Sequence, residues 1–375
     1  MGKTNKKLGI QDQSFFERII EVIRQRKIGD KLLNKCMIGI IKIFERIFRN
    51  KAITYHIRPL ENSNFHIKPS KKSNSTTAIV MQGPVDNDKD FTLETLKIYR
   101  KLYRDSLIIL STWDNENKEI LNQIENIGVK IIQSRKPDNT SDGPLSTWQN
   151  IDLQIISTKA GLKFALKNNA EYCLKTRTDQ RFYRSDLIDY FFKFQETFPL
   201  NAKTNQNQRL ISSSFATPKY RVYGLTDMMM FGEVNDLFNY WNVENYSTGI
   251  YKLIDQHSQD IPPIISGTLV GAEVYFMSSY LQKLDEDLDW TLEHYWEMLG
   301  EYFLIMDSTS IDTYWNKYNK SSEYKFGRDY SLKAHRLLDF MDWIQLYQEK
   351  DTQWERLRGQ ERWARSNGQL VRSVI

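Results

Sequence analysis

The sequence predicts an α/β domain built on a mostly parallel sheet, with helices on both faces and helical extensions at either end. Two patterns predict it. From Thr77 to Thr178 short apolar runs alternate with helix-length amphipathic stretches, and each run is closed by turn-forming or polar residues. The runs are continuous rather than alternating, as strands covered on both faces require. Strands joined through helices in this way pair in parallel by right-handed crossovers.

The elements follow in order. Thr77-Ala-Ile-Val-Met-Gln82 is a strand closed by Gly83-Pro84, and a helical pattern runs from Phe91 to Tyr103. Ser106 to Trp113 is the second strand and ends at Asp114-Asn115; a helix covers Glu116 to Ile127. Gly128 to Ser134 is the third strand, ending at Arg135, and a long helix from about Gln149 to Asn168 leads into a strand over 171–178. Downstream, Arg209–Phe215 and Val222–Phe231 read as strands, while Glu273 lies early in an apolar helical pattern. Leu281–Tyr318 reads as mainly helical, and Ala334–Arg365 as a charged helix with one apolar side. The domains so drawn are 1–70, a basic amphipathic extension and linker; 71–280, the α/β domain; and 281–375, a mainly helical region packing on the core.

Composition narrows the function classes. The 375 residues carry a net charge of +5, but Met1–Lys51 holds 13 Lys+Arg against 5 Asp+Glu, so the rest of the chain is slightly acidic. Basic residues confined to one end, without interleaved exposed aromatics or a recognition motif, argue against nucleic acid. Two distant cysteines, Cys36 and Cys173, exclude a disulfide framework and favour a reducing compartment. The five histidines lack zinc-site spacing. Neither a Gly-x-Gly-x-x-Gly turn nor a Gly-Lys-Ser/Thr phosphate loop follows the first strand, which disfavours both dinucleotide and P-loop chemistry.

In open parallel sheets ligands bind beyond the carboxyl ends of the strands. Those ends are Gln82-Gly83, Asp114, Arg135, and the cluster Arg177, Asp179 and Arg181. Asp179 is a hard oxygen ligand suited to a divalent cation that holds a diphosphate, and Arg177 and Arg181 are planar donors suited to phosphate. A local ion-pair knot is the alternative for the same three residues. Asp227 sits between apolar neighbours and is costly to bury unpaired. It and Glu273 are candidates for a general base, or for buried caps and ion pairs. Trp241, Trp290, Trp296 and Trp315 suit sugar stacking, or the core.

Several stretches resemble the WavE lipopolysaccharide-synthesis family of bacterial glycosyltransferases: Met81-Gln-Gly-Pro-Val85, Phe91–Lys97 with Tyr99, Ile109–Trp113, Asn150 with Gln154–Thr158 and Gly161-Leu162, and Leu174–Arg181. A weaker similarity runs through Tyr223–Gly232 and around Glu273. The resemblance spans roughly residues 76–280 and leaves both ends uncovered. It implies a GT-A-like, Rossmann-like fold and transfer of a sugar from a nucleotide-sugar donor to a glycan or lipid-linked acceptor in lipopolysaccharide or capsule synthesis. It also implies a divalent cation, Mn2+ or Mg2+, at Asp179, with Gln82, Gly83, Asp114 and Arg135 near the nucleotide. Position 177 is Arg where the family of folds favours Asp-x-Asp, so Arg177 or Arg181 takes over part of the cation's role. A nucleotidyltransferase and a non-catalytic glycan-assembly protein are the competing readings.

The first segment carries two amphipathic patterns, Phe15–Ile23 and Leu32–Ile47, the second interrupted by Lys35, Lys42, Glu45 and Arg46. It is too broken to span a bilayer. It suits either packing on its own protein or peripheral contact with the anionic inner membrane through residues 1–51, which places the protein in the cytoplasm, on or near that membrane.

Overall fold

The computed structural model describes residues 30–47, 58–62, 76–137, 145–200, 204–256, 271–316, 337–348, 354 and 357–359. The predicted helix over Phe15–Ile23 lies outside them. The chain divides into two units, Met1–Arg58 and Pro59–Ile375. In the first, helix α1 (Asp30–Ile47) presents Ile38, Ile40, Ile43, Phe44 and Ile47 as exposed apolar side chains. Among the described residues no helix is long and apolar enough to cross a membrane.

The second unit is built on β1 (Thr77–Gln82), in which all six residues are buried. Helix α2 (Phe91–Leu102) follows, then β2 (Leu107–Trp113), α3 (Lys118–Asn126), β3 (Lys130–Ser134), α4 (Leu145–Lys167) and β4 (Tyr172–Arg177). These are the predicted elements, with the third strand two residues shorter at its start. Asn117 caps α3 by accepting a hydrogen bond from the Glu119 N–H at 2.8 Å. After β4 come β5 (Gln180–Phe182), α5 (Leu187–Thr197), β6 (Leu210–Ser213), β7 (Met230–Glu233), α6 (Val234–Trp241) and α7 (Tyr246–Gln256). Helices α8 (Ala272–Lys283) and α9 (Leu292–Tyr302), strands β8 (Phe303–Met306) and β9 (Thr313–Trp315), and α10 (Phe340–Gln348) complete the described elements.

Seven strands form one sheet in the order β3-β2-β1-β4-β7-β6-β8, and β5 pairs with β9 in a separate ribbon. Only β7 runs against the others, through antiparallel pairing with β4 and β6. The sheet is therefore mostly parallel and helix-flanked, as expected. Strands β8 and β9 lie in the stretch read as mainly helical; Phe303–Met306 is a buried four-residue edge strand, too short for its periodicity to separate it from helix α9 just before it.

The strand expected over Val222–Phe231 is shorter than its apolar pattern. Only Met230 onward joins the ladder, because the preceding carbonyls find side-chain partners instead. The Asp227 carbonyl accepts from Lys175 Nζ, and the Thr226 carbonyl from Ser212 Oγ at 3.2 Å. A turn at Arg221–Gly224, with Tyr223 at φ 54°, breaks the extended run further.

Helix α4 packs across β1, β2 and β3. Gly161 permits the close approach: a Cβ there would lie 2.5 Å from Val80 Cγ1 and 3.1 Å from Ser111 Cβ. Val80 is itself held between Ile109 on β2 and Lys175 on β4. Gly161→Val is therefore expected to lower the unfolding free energy by roughly 1–3 kcal/mol through overpacking, measured by urea denaturation; a neutral result would show that α4 sits further from the sheet.

Candidate functional site

The winding of the sheet fixes where a site can form. From β1 the chain steps outward through β2 to β3, then returns past β1 to β4. The ends of β1 and β4 thus flank a switch point, where the connecting segments diverge and leave a crevice. A cavity of about 1000 Å³ opens there. Of the candidate site residues read from sequence, Gln82, Gly83, Arg177, Asp179, Asp227, Glu273 and Trp315 line it.

The floor is held by short polar links. Gln82 is buried, and its Oε1 accepts from Ser157 Oγ of α4 at 2.9 Å. Gly83 has φ +121°, and a Cβ there would come within 2.9 Å of Thr178 Oγ1, so the β1 turn needs glycine at this point. Beyond it, the Val85 N–H donates to Glu116 Oε1 at 3.0 Å, and Thr112 Oγ1 donates to the same oxygen at 3.0 Å. Asn316, just after β9, ties two sides of the mouth: its N–H donates to the Asp179 carbonyl at 2.8 Å and its Nδ2 to Asp86 Oδ2 at 3.0 Å.

At the β4 end, Arg177 and Asp179 form a fork: Nε to Oδ1 at 2.9 Å and Nη2 to Oδ2 at 3.0 Å. The Arg177 guanidinium also lies 5.6 Å from the Trp315 ring centre. Trp315 lines the cavity and packs edge-on against Phe215. The other three tryptophans singled out, Trp241, Trp290 and Trp296, are at most 2% exposed and belong to the core.

A second acidic pair occupies the same cavity. Asp227 accepts from Gln154 Nε2 of α4. Glu273, in the first turn of α8, has its carboxyl pushed up by burial and then by the Asp227 charge, with Arg221 at 3.8 Å acting in the opposite sense. Behind Asp227 stands Lys175, fully buried on β4, its Nζ 4.2 Å from the Trp241 ring centre. Burial lowers this ammonium to about 7, against the pull of the Asp227 charge.

Three expected residues lie elsewhere. Arg181 is the clearest correction. It is 0% exposed, and its guanidinium donates to Thr95 Oγ1 at 2.8 Å, the Leu60 carbonyl at 2.7 Å and the Phe91 carbonyl at 3.2 Å while stacking over the Phe91 ring. The turn at Thr178-Asp179 explains the difference: it breaks the two-residue alternation that would keep 177, 179 and 181 on one face, and beyond it Arg181 lies within β5, facing α2 instead of the cavity. Asp114 is exposed and accepts from the Lys136 N–H at 3.3 Å, which makes it a support for the cavity-lining Lys136. Arg135 is exposed and outside the lining. Conversely, Gln154, Ser157, Glu116 and Asn316 were not singled out for this site from sequence; Gln154 and Ser157 fall three apart on one face of α4, a spacing that points both inward.

The family described as WavE lipopolysaccharide synthesis matches residues 77–363, from the first residue of β1 through every residue that lines the cavity. The chain belongs to this family. The match extends past residue 280, where the motif resemblance ends, because β8 completes the sheet and β9 the cavity wall. No curated protein matches the chain. Among solved structures, core-mannan synthase A from Aspergillus fumigatus, in its Mn/GDP form, aligns at 9% identity with a TM-score of 0.32, over 71% of this chain and 83% of that one. A cytidylyltransferase from Leptospira borgpetersenii aligns at 11% identity and TM-score 0.25, over 52% of this chain and 73% of that one. A glucose-1-phosphate thymidylyltransferase from Bacillus anthracis aligns at 8% and 0.29, over 57% and 97%.

Whether the cavity suits a divalent cation can be judged from its donors. The described lining holds five carboxylates (Asp86, Asp88, Asp179, Asp227, Glu273) against two cationic side chains, Lys136 and Arg177. Hard oxygens in excess of positive charge fit a hard cation. Among the described residues no three His, Cys, Asp or Glu side chains converge as a cage. Such an ion would draw one protein oxygen from Asp179 and complete its shell from substrate and water.

Arg181 provides the test that separates packing from ligand binding. Arg181→Met is expected to lose roughly 2–5 kcal/mol of unfolding free energy by stranding buried carbonyls, read by urea denaturation. Its folded fraction should keep any ligand binding measured for the parent; weakened binding with unchanged stability would return Arg181 to the site.

Proposed function

We propose that the protein is a glycosyltransferase that moves a sugar from a nucleotide-activated donor to a growing bacterial surface glycan, with lipopolysaccharide as the product its family points to. The charge balance of the cavity carries this reading over nucleotidyl transfer. Attack on a phosphorus centre needs positive groups around the equatorial oxygens, whereas attack on an anomeric carbon builds positive charge on the sugar ring. A lining with five carboxylates and two cations favours the second.

In this reading Arg177 and Asp179 mark the diphosphate end, and Asp227 with Glu273 the acceptor end. The acceptor hydroxyl gives its proton to Glu273 as its oxygen attacks the anomeric carbon. The bond from that carbon to the diphosphate oxygen breaks, and the nucleoside diphosphate leaves with the electron pair. A single displacement of this kind inverts the anomeric centre. Asp227, with Gln154 on its carboxylate and Lys175 Nζ on its carbonyl, stands beside Glu273 and raises it. Trp315 offers an apolar face on which a sugar can stack. A divalent cation at Asp179 would neutralise the leaving diphosphate. Gln82 and the Gly83 turn close the nucleotide side.

The same reading extends to location. On α1 the cations Lys35, Lys42 and Arg46 fall within about 40° of one another around the helix, opposite Ile40, Phe44 and Ile47. A basic face against an apolar one suits the surface of an anionic bilayer, the cytoplasmic face of the inner membrane, where a lipid-linked acceptor would be met.

In a thermal-shift screen a nucleotide sugar stabilises the protein, and mass spectrometry finds the nucleoside diphosphate released intact; release of inorganic diphosphate would establish nucleotidyl transfer, and no turnover of any donor would establish a non-catalytic role. Asp179→Asn should reduce turnover by at least ~100-fold. Glu273→Gln should do the same and should remove the acid limb of the pH profile, since the active base is the ionised form. The linked stability change has a fixed sign: a carboxyl raised above its ordinary value of 4.5 costs the native state stability once pH exceeds that value. Glu273→Gln is thus more resistant to urea than the parent at pH 8, and the advantage disappears as pH falls below 4.5.

For the membrane contact, the full chain is expected to sediment with phosphatidylglycerol vesicles at about 0.1 M salt and to be released at about 1 M, where the Debye length shrinks from about 10 Å to about 3 Å. Lys35→Glu combined with Lys42→Glu should prevent sedimentation. Equal binding to phosphatidylcholine, or release of a dimer in place of a vesicle complex, would show that the helix face has a different occupant.

A further inference from the structure

We infer that Arg221 is a positioning residue for Glu273: the turn at Arg221–Gly224 sets its guanidinium against the carboxylate, with Gly271 packed onto both, so that the carboxylate can carry its charge beside Asp227. Its weight for turnover rests on the reading of Glu273 as the base. Its placement rests on the turn and on Gly271.

The turn leaves the arginine little choice of direction. The Gly224 N–H donates to the Arg221 carbonyl at 2.9 Å, and a Cβ at 224 would lie 2.8 Å from Arg221 Cδ, so the chain folds back onto the arginine itself. Tyr223, fully buried, adopts φ 54°, a conformation that a bulky residue keeps only when its surroundings impose it. Here its hydroxyl lies 2.7 Å from His294 Nδ1 on α9 and accepts the Trp290 N–H at 3.3 Å. The middle of the turn is thus anchored to a different element from the one that carries Glu273.

Gly271, the residue just before α8, completes the arrangement. A Cβ there would come within 3.2 Å of both Arg221 Nη2 and Glu273 Oε2. Its φ of −81° is open to any residue, so what glycine supplies at this point is space. Arg221 Nη1 stands 3.8 Å from Glu273 Oε2, and neither side chain is more than 29% exposed. Gly271 and Glu273 line the cavity while Arg221 does not. The guanidinium therefore acts on the carboxylate without occupying substrate space.

The groups around Glu273 give this contact its purpose. Burial and the Asp227 charge both push the carboxyl toward its protonated form, and Arg221 opposes them. The Tyr240 phenol of α6 and the Tyr246 phenol of α7 are raised by burial and by the charge of Glu273, so they stay neutral. Lys175 spends its N–H on the Asp227 carbonyl. Among the described residues, the cation paired with Glu273 is Arg221.

The test is a double-variant cycle of Arg221→Gln and Glu273→Gln, read by urea unfolding at pH 8 and again below pH 4.5. Removing the guanidinium raises the native carboxyl further above its ordinary 4.5, a cost that exists only above that value. At pH 8, Arg221→Gln should therefore raise the unfolding constant about fivefold more in the Glu273 background than in the Gln background, the worth of a unit charge near 4 Å in water. Below pH 4.5 the difference should vanish. In turnover, Arg221→Gln should move the acid limb of the pH profile upward by about the same factor, Arg221→Lys should restore part of it, and Gly271→Ala, which keeps both charges but wedges them apart, should move it the same way by less. If Arg221→Gln does not fold, Arg221→Lys and Gly271→Ala carry the same cycle. An equal cost in both backgrounds, a cost independent of pH, or an acid limb that stays in place overturns the inference. The unfolding cycle contains no donor: coupling without turnover of any nucleotide sugar would sink the base reading and leave the pair, whereas turnover without coupling would sink this inference alone.

Discussion

The position of β1 constrains everything else. It is paired in parallel on both edges, to β2 and β4, and all six of its residues are buried. A strand so enclosed can carry chemistry only where it ends. Gln82 and Gly83 are that end, and Gly83 can turn there only because no Cβ meets Thr178 Oγ1. The turn then directs Val85 and Asp86 towards Glu116 and Asn316, the residue just after β9 and more than 220 positions downstream, which closes one side of the cavity. Burial in the middle of the sheet and placement of the site are a single requirement.

Four basic side chains near β4 show how position divides their work. Lys175 is inside, where burial lowers its ammonium to about 7 and its N–H donates to the Asp227 carbonyl. Arg177, two residues on, is at the strand end and reaches the cavity. Arg181 is past the turn and spends its donors on the Leu60 and Phe91 carbonyls. Arg209 on the far side is also buried, donating to the Gly300 carbonyl at 3.1 Å and stacking over the Tyr347 ring. Only one of the four is at a strand end that borders the switch point. Guanidinium groups elsewhere in the fold are fasteners, since each can satisfy several carbonyls that would otherwise be buried without partners.

This division also explains what could be read in the sequence. Strand ends were legible because continuous apolar runs stop abruptly, and Gln82, Arg177 and Asp179 follow directly from where they stop. The Arg177-Thr-Asp-Gln-Arg181 spacing was legible as a charged knot, but not its split between two surfaces: that depends on a two-residue turn which sends β5 off to pair with β9. The strand predicted over Val222–Phe231 failed for a related reason, as the partners of its carbonyls, Lys175 and Ser212, are remote in sequence. Gln154 and Ser157 carried a real local signal, a polar pair on the inner face of an otherwise packing helix. Glu116 and Asn316 carried none, since a polar residue just before a helix or just after a short strand looks the same in solvent as in a site.

The cavity is acidic. Carboxylates on both sides of one cavity would be a liability if all were ionised at once, because each raises the cost of the next. The protein meets this at three different places. Asp227 has Gln154 on its carboxylate and the Lys175 ammonium behind its own carbonyl; Glu273 is pushed toward its protonated form; Asp179 is held by Arg177. Each acid thus has a different partner: a side-chain amide with a buried ammonium behind it, a proton, and a guanidinium fork.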